Sequence, residues 1–199
     1  MARKVALILT PGFADWEYAF IAGVGGPFYG LDVAFFAPQP GTLCSQGGLT
    51  AVVEKGVDEV ADWHPSAIVV VGGTVWETAH APDISVLLKE QLERGVTVAG
   101  ICGGTLALAR AGLLNDRAHT SNDADFLTRN AANYAGQSHF VASASAVVDS
   151  HVITAPGTAP VSFSARVFGA LGVDEDTVRQ FKAMMAAEHA AEEKALALG

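Results

Sequence analysis

The chain has 199 residues, of which 50% are hydrophobic and only 17% are charged, so it can bury a sizeable apolar core and is not an intrinsically disordered protein. Its 21 acidic and 12 basic residues give a net charge of −9, which argues against binding of nucleic acid or an anionic membrane through clustered Lys and Arg. We expect residues 1–199 to form one domain, with residues 188–199 as a helical extension or a frayed tail.

The hydrophobic runs are too short for a membrane protein. None reaches the roughly 18 residues of a spanning helix, and the N-terminal run Val5–Leu9 is too short for a secretory signal. The two cysteines, Cys44 and Cys102, could form one disulfide at most, and a core this apolar does not need one. We therefore expect a protein of the reducing cytoplasm.

Short apolar runs alternate with longer amphipathic segments, which is typical of β-α units around a parallel sheet. Continuous hydrophobicity predicts central strands at Val5–Leu9, Val33–Phe36, Ile68–Val71 and Val96–Ile101. Helical spacing predicts helices at Asp15–Ala22, Asp83–Arg94, Gly104–Ala111, Asp123–Ala132, Ser162–Leu171 and Asp174–Ala187, with Gly95 and Gly112 as stop signals. Weaker patterns predict edge or hairpin strands near Thr50–Val53, Phe140–Val148 and Val152–Thr154.

A carboxylate follows the first strand. Pro11-Gly12 predicts a turn there, Asp15 can cap the next helix, and Glu17 falls in its first turn among aromatic residues. A lone Glu usually lies on a solvent face, but one in apolar company can instead lie in a cleft with a raised pKa. The carboxyl ends of parallel strands form such a cleft, and this favours the second interpretation.

Cys102 directly follows the fourth strand, and Gly103-Gly104 opens a helix. This strand-turn-helix layout is typical of a nucleophile elbow. In such a turn the reactive residue has a strained backbone, and small neighbouring residues leave room for it. The N-terminus of the helix would stabilise the thiolate and lower the pKa of the thiol. The alternative is a buried, inert cysteine, which is the commonest state of a free thiol.

Two further features lie at the same edge of the predicted sheet. The strand Ile68–Val71 ends in a glycine pair, so the N–H groups of Gly73 and Gly103 could form an oxyanion-stabilising pair, although a plain tight turn would look the same. Aromatic residues near the cleft would line an apolar pocket for a small molecule, namely Phe13, Trp16 and Trp76.

These motifs together resemble the DJ-1/PfpI superfamily, also called ThiJ, which shares the class I glutamine amidotransferase-like fold. The resemblance rests on Glu17, on Gly72-Gly73 and on the Ala99–Gly104 segment, and it extends from about Arg3 to the helix after Thr158. It implies a flavodoxin-like three-layer α/β sandwich with a mostly parallel sheet. It also implies a reactive elbow cysteine at Cys102, a mostly protonated Glu17 hydrogen-bonded to its sulfur, and a homodimer.

Three segments together are similar to a bacterial branch described as protease-like, amidase-like or glutamine-amidotransferase-like, namely Ala14–Glu17, Ile101–Gly104 and His119–Asn122. The chain departs from the related activities in two ways. Protease-like and glyoxalase-like members place a His directly after the cysteine, where this chain has Gly103. Glutamine amidotransferases bring a late His-x-Glu to the cysteine, whereas the late histidine here is followed by Val152-Ile153. Isonitrile hydratases of the superfamily work without an adjacent His, so a hydratase-type reaction stays open.

None of the six histidines shows metal-ligand spacing with a Cys or a carboxylate, so we predict no metal site and no cofactor. His119 lies in the loop after the elbow helix, where the resemblance implies proximity to Cys102. It is a candidate proton-transfer group, with a structural, hydrogen-bonded role as the alternative. Cys44 is predicted on a loop without an activating charge, and we expect it to be inert.

The sequence supports two functional hypotheses. The first is a small-molecule hydrolase, amidase or hydratase in which Cys102 attacks an electrophilic carbon and Glu17 and His119 move protons. The second is a non-catalytic redox-responsive or ligand-binding protein in which Cys102 is oxidised. The aromatic pocket favours the first hypothesis, and the missing Cys-His pair favours the second.

Overall fold

The computed structural model describes the backbone of residues 3–197 and the side chains of residues 3–187. Its strands in chain order are β1 (Arg3–Ile8), β2 (Leu31–Ala37), β3 (Gly41–Cys44), β4 (Thr50–Val53), β5 (Lys55–Gly56), β6 (Ala67–Val70), β7 (Thr97–Ile101), β8 (Val147–Asp149) and β9 (Val152–Ala155). Seven of them form one sheet in the order β5-β2-β1-β6-β7-β9-β8, in which only β8 is antiparallel to its neighbour. β3 and β4 form a separate antiparallel hairpin.

The α-helices in chain order are α1 (Asp15–Phe20), α2 (Gly26–Tyr29), α3 (Val60–Trp63), α4 (Ser85–Glu93), α5 (Gly104–Arg110), α6 (Phe126–Asn130), α7 (Pro160–Ala170) and α8 (Glu175–Ala197). A π-helical turn, Ile21–Gly25, joins α1 to α2. Single 3₁₀ turns occur at Val57–Glu59, Thr74–Glu77 and Gln137–His139.

The central strands are apolar along their whole length because helices cover both faces of the sheet. Alternate residues of β1 face opposite sides, so Val5 and Leu7 pack with α7 and α8, and Ala6 and Ile8 pack with α3, α4, α5 and α6. The result is a three-layer α/β sandwich, as predicted. All four predicted central strands are confirmed, with shifts of one or two residues at their ends.

All six predicted helices are confirmed in position, although some of their ends differ, and two short helices, α2 and α3, were not predicted. Gly95 and Gly112 adopt the left-handed conformation, with φ of +82° and +70°, and follow helices α4 and α5 as expected. Asp15, predicted as a cap, is the first residue of α1. Its carboxylate instead accepts a 2.8 Å hydrogen bond from the N–H of Gly47, which ties the β3–β4 hairpin to the start of α1.

The weaker strand predictions are only partly right. The predicted edge strand near Val152–Thr154 is β9, an inner strand between β7 and β8. Most of Phe140–Val148 is not a strand, because Ser143 bonds the backbone of Ser145 in a local turn that competes with sheet pairing. Cys44, predicted on a loop, lies in β3.

Along residues 3–197, no helix is both long enough and apolar enough to cross a lipid bilayer. The last helix, α8, includes most of the tail that was predicted as helical or frayed, and positions 198 and 199 lie outside the described residues.

Candidate active site

Cys102 occupies a sharp turn between β7 and α5. Its φ of +53° lies in the left-handed region, which is uncommon for a residue with a side chain. Backbone hydrogen bonds hold this conformation: the N–H of Cys102 donates to the carbonyl of Ala155 at 3.0 Å, and its carbonyl accepts from the Thr105 hydroxyl at 2.6 Å. The strand-turn-helix geometry expected of a nucleophile elbow is therefore present.

Two glycines allow α5 to start directly behind Cys102. A Cβ atom at Gly104 would collide with the carbonyl oxygen of Val70, and one at Gly103 would lie 3.0 Å from the carbonyl oxygen of Gly73. Any larger residue would push the helix away from the sheet and displace the cysteine.

The sulfur of Cys102 lies in an open cleft of about 680 Å³ at the carboxyl edge of the sheet. Among the side chains of residues 3–187, no charged group lines this cleft, and no group of three His, Cys, Asp or Glu side chains is arranged to hold a metal ion. The lining residues are Trp16, Cys102, Asn122, Pro156, Gly157, Thr158 and Pro160.

Glu17 lies behind the sulfur, at 0% exposure on α1. Its Oε2 atom accepts a 2.7 Å hydrogen bond from the N–H of Gly72, while Oε1 has no hydrogen bond of regular geometry with any described residue. A Cβ atom at Gly157 would lie 2.9 Å from the sulfur and 3.2 Å from Glu17 Oε1. The carboxyl group and the thiol therefore share one small space, as the placement of both residues at this edge predicted.

The two groups perturb each other's ionisation. Burial raises the pKa of Glu17 to about 7. Burial and the charge of an ionised Glu17 raise the pKa of the Cys102 thiol to about 11, while contacts with Asn122 and the N–H of Gly103 act in the opposite direction. The sequence predicted a lowered thiol pKa from the helix terminus. That effect is outweighed by the burial of the thiol and by the charge of the adjacent carboxylate.

His119 does not face the cysteine. Its Nδ1 lies 2.7 Å from the carbonyl oxygen of Arg117, and its Nε2 lies 2.6 Å from the hydroxyl of Tyr134. Because a carbonyl only accepts, Nδ1 carries the proton and Nε2 accepts from Tyr134. Burial lowers the pKa of His119, consistent with a neutral ring. The prediction that His119 serves Cys102 is therefore corrected, because both ring nitrogens are bonded elsewhere.

We expect His119→Ala to destabilise the fold by about 2–4 kcal/mol, because it removes two buried hydrogen bonds and leaves the hydroxyl of Tyr134 unpaired. The rate of Cys102 alkylation should change by less than about threefold. Denaturant unfolding and iodoacetamide labelling measure the two effects, with the exposed His139 changed to Ala as the matched control. Unchanged stability with a large loss of cysteine reactivity would restore the proton-transfer role.

Two of the three aromatic residues predicted to line the pocket belong to the core. Phe13 and Trp76 are both 0% exposed, and the indole N–H of Trp76 bonds the carbonyl of Val71 at 3.0 Å. Trp16 is 47% exposed and does line the cleft, where its indole N–H donates to the carbonyl of Gly157 at 2.9 Å. The sequence indicated aromatic residues near this edge, but their side-chain directions depend on packing.

The backbones of Gly73 and Gly103 lie against each other, as the predicted oxyanion pair requires. The N–H of Gly103 is directed at the sulfur of its neighbour Cys102. Neither glycine lines the cleft among the described residues, so their joint role stays a prediction.

Asn122 contacts the sulfur, and sequence reasoning gave it no role. Its Nδ2 donates to Cys102 Sγ at 3.3 Å, and its Oδ1 accepts from the N–H of Gly157 at 3.0 Å. The sequence signals were its place in the loop after the elbow helix, three residues beyond His119, and its position at the end of the segment that carried the similarity to the bacterial branch.

Comparison with known proteins agrees with this geometry. The family model described as "DJ-1/PfpI family" matches residues 3–169. An uncharacterized protease, YoaZ of Bacillus subtilis, is 34% identical over 188 residues, covering 90% of this chain and 89% of the relative. Deglycase TK1284 of Thermococcus kodakarensis is 33% identical over 123 residues, covering 59% and 71%. The crystal structure of the DJ-1 superfamily protein Atu0886 from Agrobacterium tumefaciens superposes with a TM-score of 0.87 at 34% identity, covering 95% of this chain and all of that one. The chain belongs to the DJ-1/PfpI family.

Proposed function

We propose that this protein is a hydrolase-type or hydratase-type enzyme acting on a neutral small molecule, with Cys102 as the nucleophile and Glu17 as the proton-transfer group. The observation that carries the proposal is the Cys102 sulfur in an open cleft, held at positive φ against a fully buried carboxyl group. Two similar proteins are named a protease and a deglycase, which supports a hydrolase-type activity at the level of the family.

The reactive form of the pair has its proton on Glu17 and its negative charge on sulfur. Glu17 is 0% exposed, whereas Cys102 is partly exposed, and a charge costs less on the more solvated group. Among the described residues, the sulfur has Asn122 and the N–H of Gly103 as donors, while the carboxylate has the N–H of Gly72 and, when the sulfur is protonated, the thiol of Cys102. A protonated Glu17 adds a further donor beside the thiolate.

This arrangement leads to a simple reaction. The thiolate of Cys102 attacks an electrophilic carbon, and Glu17 donates its proton to the atom that gains the electron pair. This chain has Gly103 directly after the cysteine, where the resemblance implies a histidine in protease-like members, and both nitrogens of His119 are bonded elsewhere. Glu17 is therefore the titratable group best placed to transfer this proton.

The lining of the cleft indicates the class of substrate. Its volume of about 680 Å³ is in the range of small-molecule sites. The lining offers an indole, an amide, a hydroxyl and two prolines, without a cationic side chain to select a carboxylate or a phosphate. Neutral amides, aldehydes and isonitriles fit this chemistry.

A screen of the purified protein against small neutral amides, aldehydes and isonitriles tests the proposal. Turnover should occur with at least one class, and Cys102→Ser should abolish it, because a serine hydroxyl is a much weaker acid than a thiol and does not give up its proton to Glu17 as readily. Cys44→Ser is the matched control and should leave the rate unchanged, since Cys44 lies on the separate hairpin. Turnover that survives Cys102→Ser would overturn the proposal.

The second candidate is a redox-responsive protein without turnover. It is favoured by two observations: no histidine among residues 3–187 contacts the sulfur, and Cys102 is partly exposed beside an acid that can hydrogen-bond an oxidised product. A sulfinate that forms with mild peroxide in the wild type but not in Glu17→Ala, together with a silent screen, would select this candidate.

We also propose that the protein is a cytoplasmic homodimer, as the family resemblance implies. Several large apolar side chains are exposed, including Phe28 at 76% and Val52 at 69%. Light scattering across a size-exclusion peak should give twice the chain mass at micromolar concentration. A monomer mass under these conditions would contradict the dimer.

A further inference from the structure

Asn122 presents a fixed carboxamide beside the reactive sulfur. The N–H of Gly157 can only donate, so the atom it contacts at 3.0 Å must be the Oδ1 of Asn122. The amide orientation is therefore determined by this bond, and Nδ2 faces Cys102 Sγ at 3.3 Å.

The loop that carries Asn122 is held on several sides. The hydroxyl of the preceding residue, Ser121, lies 2.7 Å from that of Thr105 on α5. The N–H of Thr120 donates to the Thr154 hydroxyl at 2.9 Å. The carbonyl of Gly157, whose N–H binds Asn122, also accepts a hydrogen bond from the indole N–H of Trp16. This bond connects the loop to α1. These contacts fix the carboxamide before any ligand arrives, which is the condition for effective electrostatic stabilisation.

A primary amide has two N–H bonds, and the sulfur uses one of them. No described residue accepts the second, and Asn122 is exposed and lines the cleft. A carbonyl group close enough for attack by Cys102 would lie beside this N–H. The indole N–H of Trp16, the other nitrogen donor among the lining side chains, is already bonded to Gly157.

We propose that Asn122 is a catalytic residue that stabilises the oxyanion formed when Cys102 adds to a neutral carbonyl compound. This inference rests on the proposed function of Cys102 as a nucleophile. The S–C bond forms as the carbonyl π electrons move to oxygen, and the resulting alkoxide accepts a hydrogen bond from the second N–H of Asn122 Nδ2. The alkoxide then takes the Glu17 proton, which leaves a neutral adduct and a Glu17 carboxylate.

The test uses 1,1,1-trifluoroacetone, a small neutral ketone whose fluorine atoms favour addition of a thiol and lower the pKa of the adduct oxygen. Protection of Cys102 from iodoacetamide gives the apparent dissociation constant of the adduct, and ¹⁹F NMR across pH gives the pKa of its oxygen. Loss of one oxyanion donor typically costs about 10²–10³-fold. We therefore expect Asn122→Ala to raise the dissociation constant of the adduct by about 10²-fold and to raise the pKa of the adduct oxygen. The loss of affinity should exceed any fold-change in the rate of Cys102 alkylation, which reports the reactivity of the thiol without the adduct.

Asn122→Asp distinguishes the loss of the Nδ2–H donor from the loss of the hydrogen bond to Gly157. It keeps an oxygen for the N–H of Gly157 but has no N–H for the adduct, so its loss should be at least as large as that of Asn122→Ala. Asn133→Ala is the matched control, because Asn133 is exposed and lines a separate cavity.

The outcomes separate this inference from the proposed function. Full affinity in either Asn122 variant, with an adduct present in the wild type, overturns the role of Asn122 and leaves Cys102 as the nucleophile. A wild-type protein that forms no adduct overturns carbonyl addition itself, and the assignment of Asn122 with it.

Discussion

Replacing Glu17 with Gln is expected to reduce kcat by at least about 10²-fold and by up to about 10⁴-fold, the usual range for loss of a general acid or base. Glutamine has nearly the same shape as the protonated acid, and its amide oxygen can still accept from the N–H of Gly72. It has no proton to transfer to the adduct. The loss should therefore appear in kcat with little change in fold, as measured on the substrate class that the screen identifies.

The pH dependence of cysteine alkylation in the same variant reports where the shared proton lies. If Glu17 is protonated beside a thiolate, Glu17→Gln replaces a strong donor by a weaker one, and the alkylation midpoint should rise slightly. If the sulfur holds the proton, burial and the charge of Glu17 together raise the pKa of Cys102 to about 11, and the variant removes the charge, so the midpoint should fall. Glu77→Gln, an exposed carboxylate near the same edge, is the control and should change neither kcat nor the midpoint.

The contribution of Glu17 to the free energy of unfolding should fall by about 3 kcal/mol as the pH rises from 4.5 to 7, because burial raises the Glu17 pKa to about 7. His119 acts in the opposite direction in this interval, because burial lowers its pKa, so the contribution of Glu17 is measured as a difference from a variant. In this window the folded protein keeps a proton that the unfolded chain has lost, so folding becomes less favourable with rising pH. The contribution is complete below pH 4.5 and is lost as the pH passes through about 7.

The same titration in Glu17→Gln should lack this fall, since glutamine does not ionise. Other carboxyl groups with shifted pKa values, such as Asp15 and Asp149, have pKa values lowered below 3.8 and act at lower pH. Denaturant unfolding of the two proteins at several pH values isolates the contribution of Glu17. If the free energies of unfolding of the wild type and Glu17→Gln differ by a constant amount from pH 4.5 to 7, Glu17 ionises like an ordinary carboxyl group.

The sequence by itself determined the architecture and the central pair of the site. Both follow from patterns within short segments: continuous apolar runs require a sheet covered on both faces, and a cysteine between a buried strand and two glycines requires a tight turn. Since the carboxyl ends of parallel strands meet at one edge, Glu17 and Cys102 could be placed together without knowledge of the packing.

Only the tertiary structure decided which other side chains reach the sulfur. His119 and Asn122 lie three residues apart in one loop, yet the first bonds Arg117 and Tyr134 while the second bonds Cys102 and Gly157. Phe13 and Trp76 turn into the core while Trp16 faces the cleft. The directions of these side chains depend on segments distant in the chain, and the pKa of Glu17 depends on how completely those segments exclude water, so no local pattern in the sequence encodes them.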